Sequence, residues 1–292
     1  MLSQLKNSGV FWMIVSVLLF SFMQVFVRMT SNEISVYQQV VIRNLIGIFV
    51  AGYFIQKEHL SWFGAREEQP FLFGRSLAGF LGLVFFFAAS REAAIADVTI
   101  VNRTGPFFTT LLSVVFLKEK ALPAQWCALI IVFIGGLIAA NPSFDSSFLP
   151  MLLALLSAVA NGVAYTLLAH FKGKVPVMTV MMHLSVFSVL AGIPFLIHRF
   201  QIPSAYDLFM LLMIGILGNC GQIAITLAYR LAPATEIAIY DQLSVVASIL
   251  LGWIFLNQTP NPSTLLGGGT VICASLWIYF YMKRRHLRQE VA

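Results

Sequence analysis

Ten apolar runs, each about twenty residues long, constrain this chain more than any other feature. They cover roughly 9–29, 36–56, 70–90, 95–117, 122–140, 148–169, 177–197, 208–229, 234–256 and 263–282. A helix needs about 20 mostly apolar residues to cross a bilayer. The breaks between runs carry turn or charge signals, such as Ser31-Asn32-Glu33, Lys118-Glu119-Lys120, Asn141-Pro142 and Asn257 to Pro262. No alternating pattern of lipid-barrel strands occurs, so the expected fold is an all-α polytopic membrane protein with ten transmembrane helices. The first run is too long for a secretory signal, lacks a small-residue cleavage site and is followed by nine more runs.

Charge and composition agree. Of 292 residues, 59% are hydrophobic and 10% charged, against about 25% charged in a soluble domain. A soluble enzyme, a disordered chain and a nucleic-acid binder are excluded. With a cytoplasmic N-terminus, the inner segments hold Lys6, Lys57, Arg66, Arg75, Lys118, Lys120, Lys172, Lys174, Arg230, Lys283, Arg284, Arg285 and Arg288. The outer segments hold only Arg28, Arg91 and Arg199. This positive-inside bias puts both termini in the cytoplasm, with the protein in the cytoplasmic (inner) membrane. The net charge of +6 is therefore a feature of topology and lipid surface. Cys127, Cys220 and Cys273 lie inside apolar runs without metal-type spacing, and are expected as buried, inert thiols.

An internal repeat divides the chain. With a constant offset of 139 and no gap, residues 89–123 lie over 228–262. Arg91 meets Arg230, Asp97 meets Glu236, Phe116-Leu117 meets Phe255-Leu256, and Pro123 meets Pro262. Apolar composition alone does not align arginine on arginine and acid on acid. The expected halves are 1–140 and 148–292, each of five spans. Five is odd, so the second half enters the membrane from the opposite side. Such inverted repeats place a transporter's substrate site at their interface near the midplane.

The chain resembles the drug/metabolite transporter superfamily, in its EamA-type group of ten-span permeases. The resemblance rests on the length, the two five-span halves and Arg43 in span 2. It also rests on Arg75-Ser-Leu-Ala-Gly79 opening span 3, Ala96-Asp97 opening span 4, Pro106, and Leu117-Lys-Glu119-Lys120 ending span 4. The second half departs from the pattern: Gln258 stands where an acid ends the fourth span, and Val245 replaces the proline. Within the superfamily the pattern is most similar to the branch of solute carrier family 35G, whose bacterial relatives move assorted polar metabolites. The resemblance implies a pathway lined by spans 1, 3, 4, 6, 8 and 9. It makes Gln24, Asn161, Tyr165, Asn219 and Gln222 wall residues.

Ionisable residues inside a membrane are costly and face a cavity or a partner. Here they are Arg43, Asp97, Arg103, Glu236 and Asp241. On straight helices Arg103 and Asp241 sit about 10 Å apart along the membrane normal. They are expected to hold the anionic and cationic groups of a zwitterionic substrate, with Asn102 and Tyr240 beside them. A structural lock between the two is the alternative. Glu236 and then Asp97, at repeat-related helix starts, are the candidates for proton coupling. Pro106 removes a backbone hydrogen bond and is expected to kink span 4. The glycines at 135–136 and 267–269 read as close helix packing, and His183 as a bonded bundle residue.

No phosphate-binding loop and no nucleophile–base pair occurs, so neither an enzyme nor a cofactor is expected. The expected function is secondary active transport of a small polar or zwitterionic, amino-acid-like metabolite by alternating access, with export favoured by the resemblance. The partners are that substrate and the bilayer, with protons as the candidate coupling ion and no nucleic acid. Uptake of a larger metabolite, such as S-adenosylmethionine or riboflavin, is one alternative. A non-transporting scaffold or a channel is the alternative from another class.

Overall fold

Hydrocarbon offers no hydrogen-bond partner, so each apolar run must close its backbone bonds on itself, and a helix does this. The computed structural model describes residues 8–118, 122–140, 148–171, 174–197, 199–232, 237 and 240–291. Among the described residues there are helices and no strand. In order they are α1 (Gly9–Met29), α2 (Val36–Lys57), a 3-10 turn (Arg66–Glu68), α3 (Gln69–Glu92), α4 (Ile95–Asn102) and α5 (Gly105–Phe116). Then come α6 (Pro123–Ala140), α7 (Phe148–His170), α8 (Val177–Leu196), α9 (Ala205–Leu231), a 3-10 turn (Tyr240–Gln242), α10 (Leu243–Leu256) and α11 (Pro262–Val291). The fourth expected span is split into α4 and α5. The described part of the ninth is a turn followed by α10. The last helix runs past the expected end, to Val291.

Polar side chains start several helices by accepting a bond from an otherwise unpaired backbone N–H. Ser35 accepts from Gln38 N at 3.2 Å, Ser204 from Asp207 N at 3.1 Å, and Asn261 from Thr264 N at 2.7 Å. Six stretches, matching α1, α2, α3 with its leading turn, α7, α8 and α9, are long and apolar enough to cross a membrane by themselves.

The packing repeats itself. Helix α1 packs on α9 and α3 on α7, while α2 packs on α8, α6 on α11 and α4 on α10. Exchanging the two five-span halves maps this set of pairs onto itself. The secondary pairs obey the same exchange: α5–α7 maps onto α10–α1, and α9–α2 onto α3–α8. This is the packing of two inverted five-helix repeats. At the α6–α11 seam, a Cβ on Gly135 would lie 3.0 Å from the Gly267 carbonyl oxygen and from Val271, so a glycine here lets the two helices approach closely.

The distribution of side chains is inside out relative to a soluble protein. Phe49 and Phe116 are exposed, whereas Gln38, Gln39, Arg43, Asn44 and Arg75 are buried. Two expectations are corrected here. The cysteines are not buried: Cys127, Cys220 and Cys273 are all exposed on the outward faces of their helices and free. A thiol is apolar enough for a lipid-facing position, so an apolar run alone does not separate the two surroundings. Arg75, counted above with the cytoplasmic charges, lies in the second turn of α3 and is 2% exposed. Without it, the excess of Lys and Arg on the inner segments remains.

Candidate functional site

The site is built around a helix break and a 3-10 turn. Pro106 has no N–H, so the Asn102 carbonyl loses its helical donor. The chain leaves the helix at Arg103-Thr104, where Arg103 N bonds the carbonyls of Thr99 (2.9 Å) and Ile100 (3.1 Å), and the Thr104 hydroxyl bonds the Val101 carbonyl at 2.9 Å. Pro106 then sits in the first turn of α5, so the span breaks rather than kinks. At the related position of the ninth span, which has no proline, the described chain makes the 3-10 turn Tyr240–Gln242 that leads directly into α10. There the Asp241 carbonyl accepts from the Ser244 hydroxyl at 2.9 Å and from Arg103 Nη1 at 3.1 Å. Side chains take over the bonds that a continuous helix makes with its own backbone.

Arg103 and Asp241 form a direct ion pair, with each side chain 13% exposed. On straight helices the two residues stand about 10 Å apart along the membrane normal, a gap that a long arginine side chain helps to span.

Beside the pair lies a cavity bordered by Arg43, Arg75 and Arg103, and by Asn161, Tyr165 and Gln222. Water centres have about 90 Å³ to occupy. One water needs about 10–15 Å³ on this measure, so the cavity is roomy enough for several waters or a small polar group. Tyr165 stacks on Tyr229, with ring centroids 5.2 Å apart and planes 21° from parallel. It lies within electrostatic range of Arg43, Arg75, Arg103 and Asp241. Arg43 is 2% exposed; its Nη2 donates to the Gly218 carbonyl at 3.1 Å, while its Nε has no partner. On Arg75 neither Nε nor Nη1 has one. Two glycines make room: a Cβ on Gly79 would occupy the place of the Arg75 guanidinium, and one on Gly218 that of the Arg43 side chain.

Of the residues picked out by sequence, the cavity gathers Asn102, Arg103, Asn161, Tyr165 and Gln222, with Asp241 joined through its ion pair. Asn102 also donates to Ser157 Oγ at 2.9 Å and to the Ala154 carbonyl at 3.3 Å, which ties α4 to α7. Asn161 donates to the same Ser157 hydroxyl at 3.3 Å, and Gln222 to Thr226 Oγ1 at 3.3 Å. The structure leaves three others off the cavity. Gln24 is spent on Ser90, the Ile95 carbonyl and Thr99, where it knots α1, α3 and α4 together. Asn219 donates to the Arg43 and Gly215 carbonyls at 2.7 and 2.8 Å. Tyr240 packs against the core cluster of Met13, Val17 and Tyr229. Asp97 accepts from the Thr264 hydroxyl in a separate, smaller pocket with Gln258 and Asn261. Glu236 lies outside the described residues. His183 is bonded to Ser76 Oγ at 2.9 Å.

The sequence reading left Arg43 without a role and set Arg75 on the surface. The available signal was Gly79, four residues after Arg75 on the same helix face, which leaves space for a large side chain to lie along the helix. Among the described residues no cluster of His, Cys, Asp or Glu has the make-up of a metal site.

Comparison with known proteins follows the same outline. The profile of the EamA-like transporter family matches residues 7–140 and again 148–280. A pseudopaline exporter of Pseudomonas aeruginosa is 27% identical over 278 residues, covering 94% of this chain and 97% of that protein. An S-adenosylmethionine uptake transporter of Rickettsia bellii is 24% identical over 220 residues, covering 75% and 76%. A riboflavin transporter of Rhizobium johnstonii is 29% identical over 212 residues, covering 72% and 68%. A crystal structure of 15% identity superposes with a TM-score of 0.72 over 94% of this chain and 98% of that one, a likeness of fold alone.

Proposed function

The chain belongs to the EamA-like transporter family of the drug/metabolite transporter superfamily, and from this premise we propose that it is a secondary transporter that moves a small polar or zwitterionic metabolite by alternating access. It is a multi-pass membrane transporter and not an enzyme. The halves 1–140 and 148–292 rock about the cavity between them. The reading is carried by one observation: a cavity lies inside the bundle, bordered, among apolar side chains, by three arginines of the first half and by polar side chains of the second.

A zwitterion fits the Arg103–Asp241 pair by exchange. Its carboxylate replaces Asp241 on Arg103 and its ammonium replaces Arg103 on Asp241, so no buried charge is left unpaired. Export is the favoured direction, in line with the pseudopaline exporter among the relatives. Uptake of a larger metabolite is the second reading, supported by the relatives named for S-adenosylmethionine and riboflavin. Protons are the coupling ion in this reading, with Glu236 the first candidate for the coupling residue and Asp97 the second.

Entrance counterflow of labelled amino acids in proteoliposomes tests the reading. A transporter gives saturable counterflow, a channel gives flux without saturation, and a scaffold gives none. Glu236→Gln is expected to weaken flux driven by a pH gradient while counterflow persists, because counterflow needs no net proton movement. Equal loss of both overturns that role. For orientation, reporter fusions at Asp145 and Asn261 are expected to read extracytoplasmic, and those at Lys120 and Lys174 cytoplasmic. Opposite readings at any two reject it.

A further inference from the structure

We infer that Arg43 and Arg75 form an anion subsite distinct from the Arg103–Asp241 pair, so that the transported molecule is a small organic acid carrying at least two carboxylates. The inference rests on the transport reading above and deepens it. Three guanidiniums border the cavity, and among the described residues Asp241 is the single carboxylate close to them, engaged by Arg103. Two positive charges remain. Among the described residues neither Arg43 nor Arg75 has an ion-pair partner. Each is 2% exposed, and three of their donor nitrogens are unbonded. A buried cation with idle donors is costly in a membrane interior, and such residues mark substrate paths. Backbone carbonyls do not relieve it, since the bond of Arg43 to Gly218 leaves its Nε idle and Arg75 has two idle nitrogens.

The geometry favours two anionic groups over one. Arg43 stands in the second turn of α2 and Arg75 in the second turn of α3. Consecutive spans run in opposite directions, so the two side chains reach the cavity from opposite ends of the bundle, each about 10 Å in from its helix start. They remain within electrostatic range of each other. A guanidinium matches a planar carboxylate with two parallel bonds. It pairs a phosphate in the same way, so inorganic phosphate, a single compact anion, is the comparison for two separate carboxylates. The glycines that house them, Gly79 beside Arg75 and Gly218 beside Arg43, hold both side chains in place without blocking the cavity.

The test measures the melting temperature of the purified full-length protein with succinate, malonate, citrate, succinamate, alanine and inorganic phosphate, in wild type, Arg43→Gln and Arg75→Gln. The dicarboxylates and citrate are expected to raise it more than succinamate or phosphate. Each variant is expected to bind them about 10- to 100-fold more weakly, the worth of one charge-assisted bond. Without ligand, both variants are expected to melt at or above the wild-type temperature, because each has lost an uncompensated buried cation. The inference is overturned by wild-type protein that no dicarboxylate stabilises, or that phosphate stabilises as strongly. It is also overturned by variants that melt lower yet keep the dicarboxylate response. If either variant fails to fold, Arg75→Lys, which keeps the charge and loses the planar fork, carries the test through weakened dicarboxylate binding. Counterflow separates the two readings. Succinate flux indifferent to Arg43→Gln and Arg75→Gln rejects the subsite and keeps the transporter, whereas absence of flux for every probe rejects both.

Discussion

The two halves share one architecture and divide the chemistry. The fourth span of the first half breaks before Gly105, and the related stretch of the second half is a 3-10 turn that leads into α10 at Leu243. Proline accompanies the first, and side-chain bonds onto the Asp241 carbonyl the second. Around the cavity the first half supplies Arg43, Arg75 and Arg103, and the second supplies Asp241, Asn161, Tyr165 and Gln222. The repeat thus preserves the helix pairing. Charge is free to differ, because a cavity at the seam needs each function from one side only.

The largest expected effect breaks this division at its acid. Asp241→Asn leaves Arg103 without its ion-pair partner beside a cavity already bordered by the buried cations Arg43 and Arg75, and is expected to cost about 3–5 kcal/mol, read as a fall in thermal stability in detergent. Arg103→Gln is expected to cost less, because the freed Asp241 is left beside a cavity whose other charged border groups are the cations Arg43 and Arg75. The double variant is expected to recover part of the loss of Asp241→Asn. Equal costs for the two single variants contradict the charge asymmetry.

A smaller effect tests the symmetric part. Gly135→Leu forces a side chain against the Gly267 carbonyl and Val271. It is expected to cost about 1–3 kcal/mol by overpacking, seen in the same melt. The smallest effect sharpens the contrast between the break and the turn. Val245→Pro copies the first half's proline into the second half. Residue 245 lies in the first turn of α10, where proline is tolerated, so a change below about 1 kcal/mol is expected. Proline one turn later, at Ile249, is expected to cost about 3 kcal/mol or more.

The fold was legible because hydrocarbon leaves the backbone no choice: the apolar runs at 9–29 and 36–56 are the helices α1 and α2 almost residue for residue. The repeat was legible where charge and proline punctuate the helices, as at Arg91/Arg230 and Pro123/Pro262. The cavity was harder to read. Polar residues inside a membrane look alike in sequence whether they join helices or face a ligand. Gln24 and Asn219 are consumed by neighbouring helices, whereas Gln222 borders the cavity. Arg75 stands two turns from a helix start, where charge counting assigns it to the interface, and its inward course depends on a glycine one turn on. The Arg103–Asp241 contact depends on the reach of a long arginine side chain, and a reading based on straight helices separates the two residues.

The central claim, a seam cavity whose first-half arginines select carboxylates, is tested most directly by entrance counterflow of labelled succinate in proteoliposomes holding wild type or Arg75→Gln. The account predicts saturable counterflow by wild type, inhibited by citrate and not by succinamate, and about 10-fold or greater loss of apparent affinity in Arg75→Gln. Succinate counterflow of the same affinity in both proteins contradicts it.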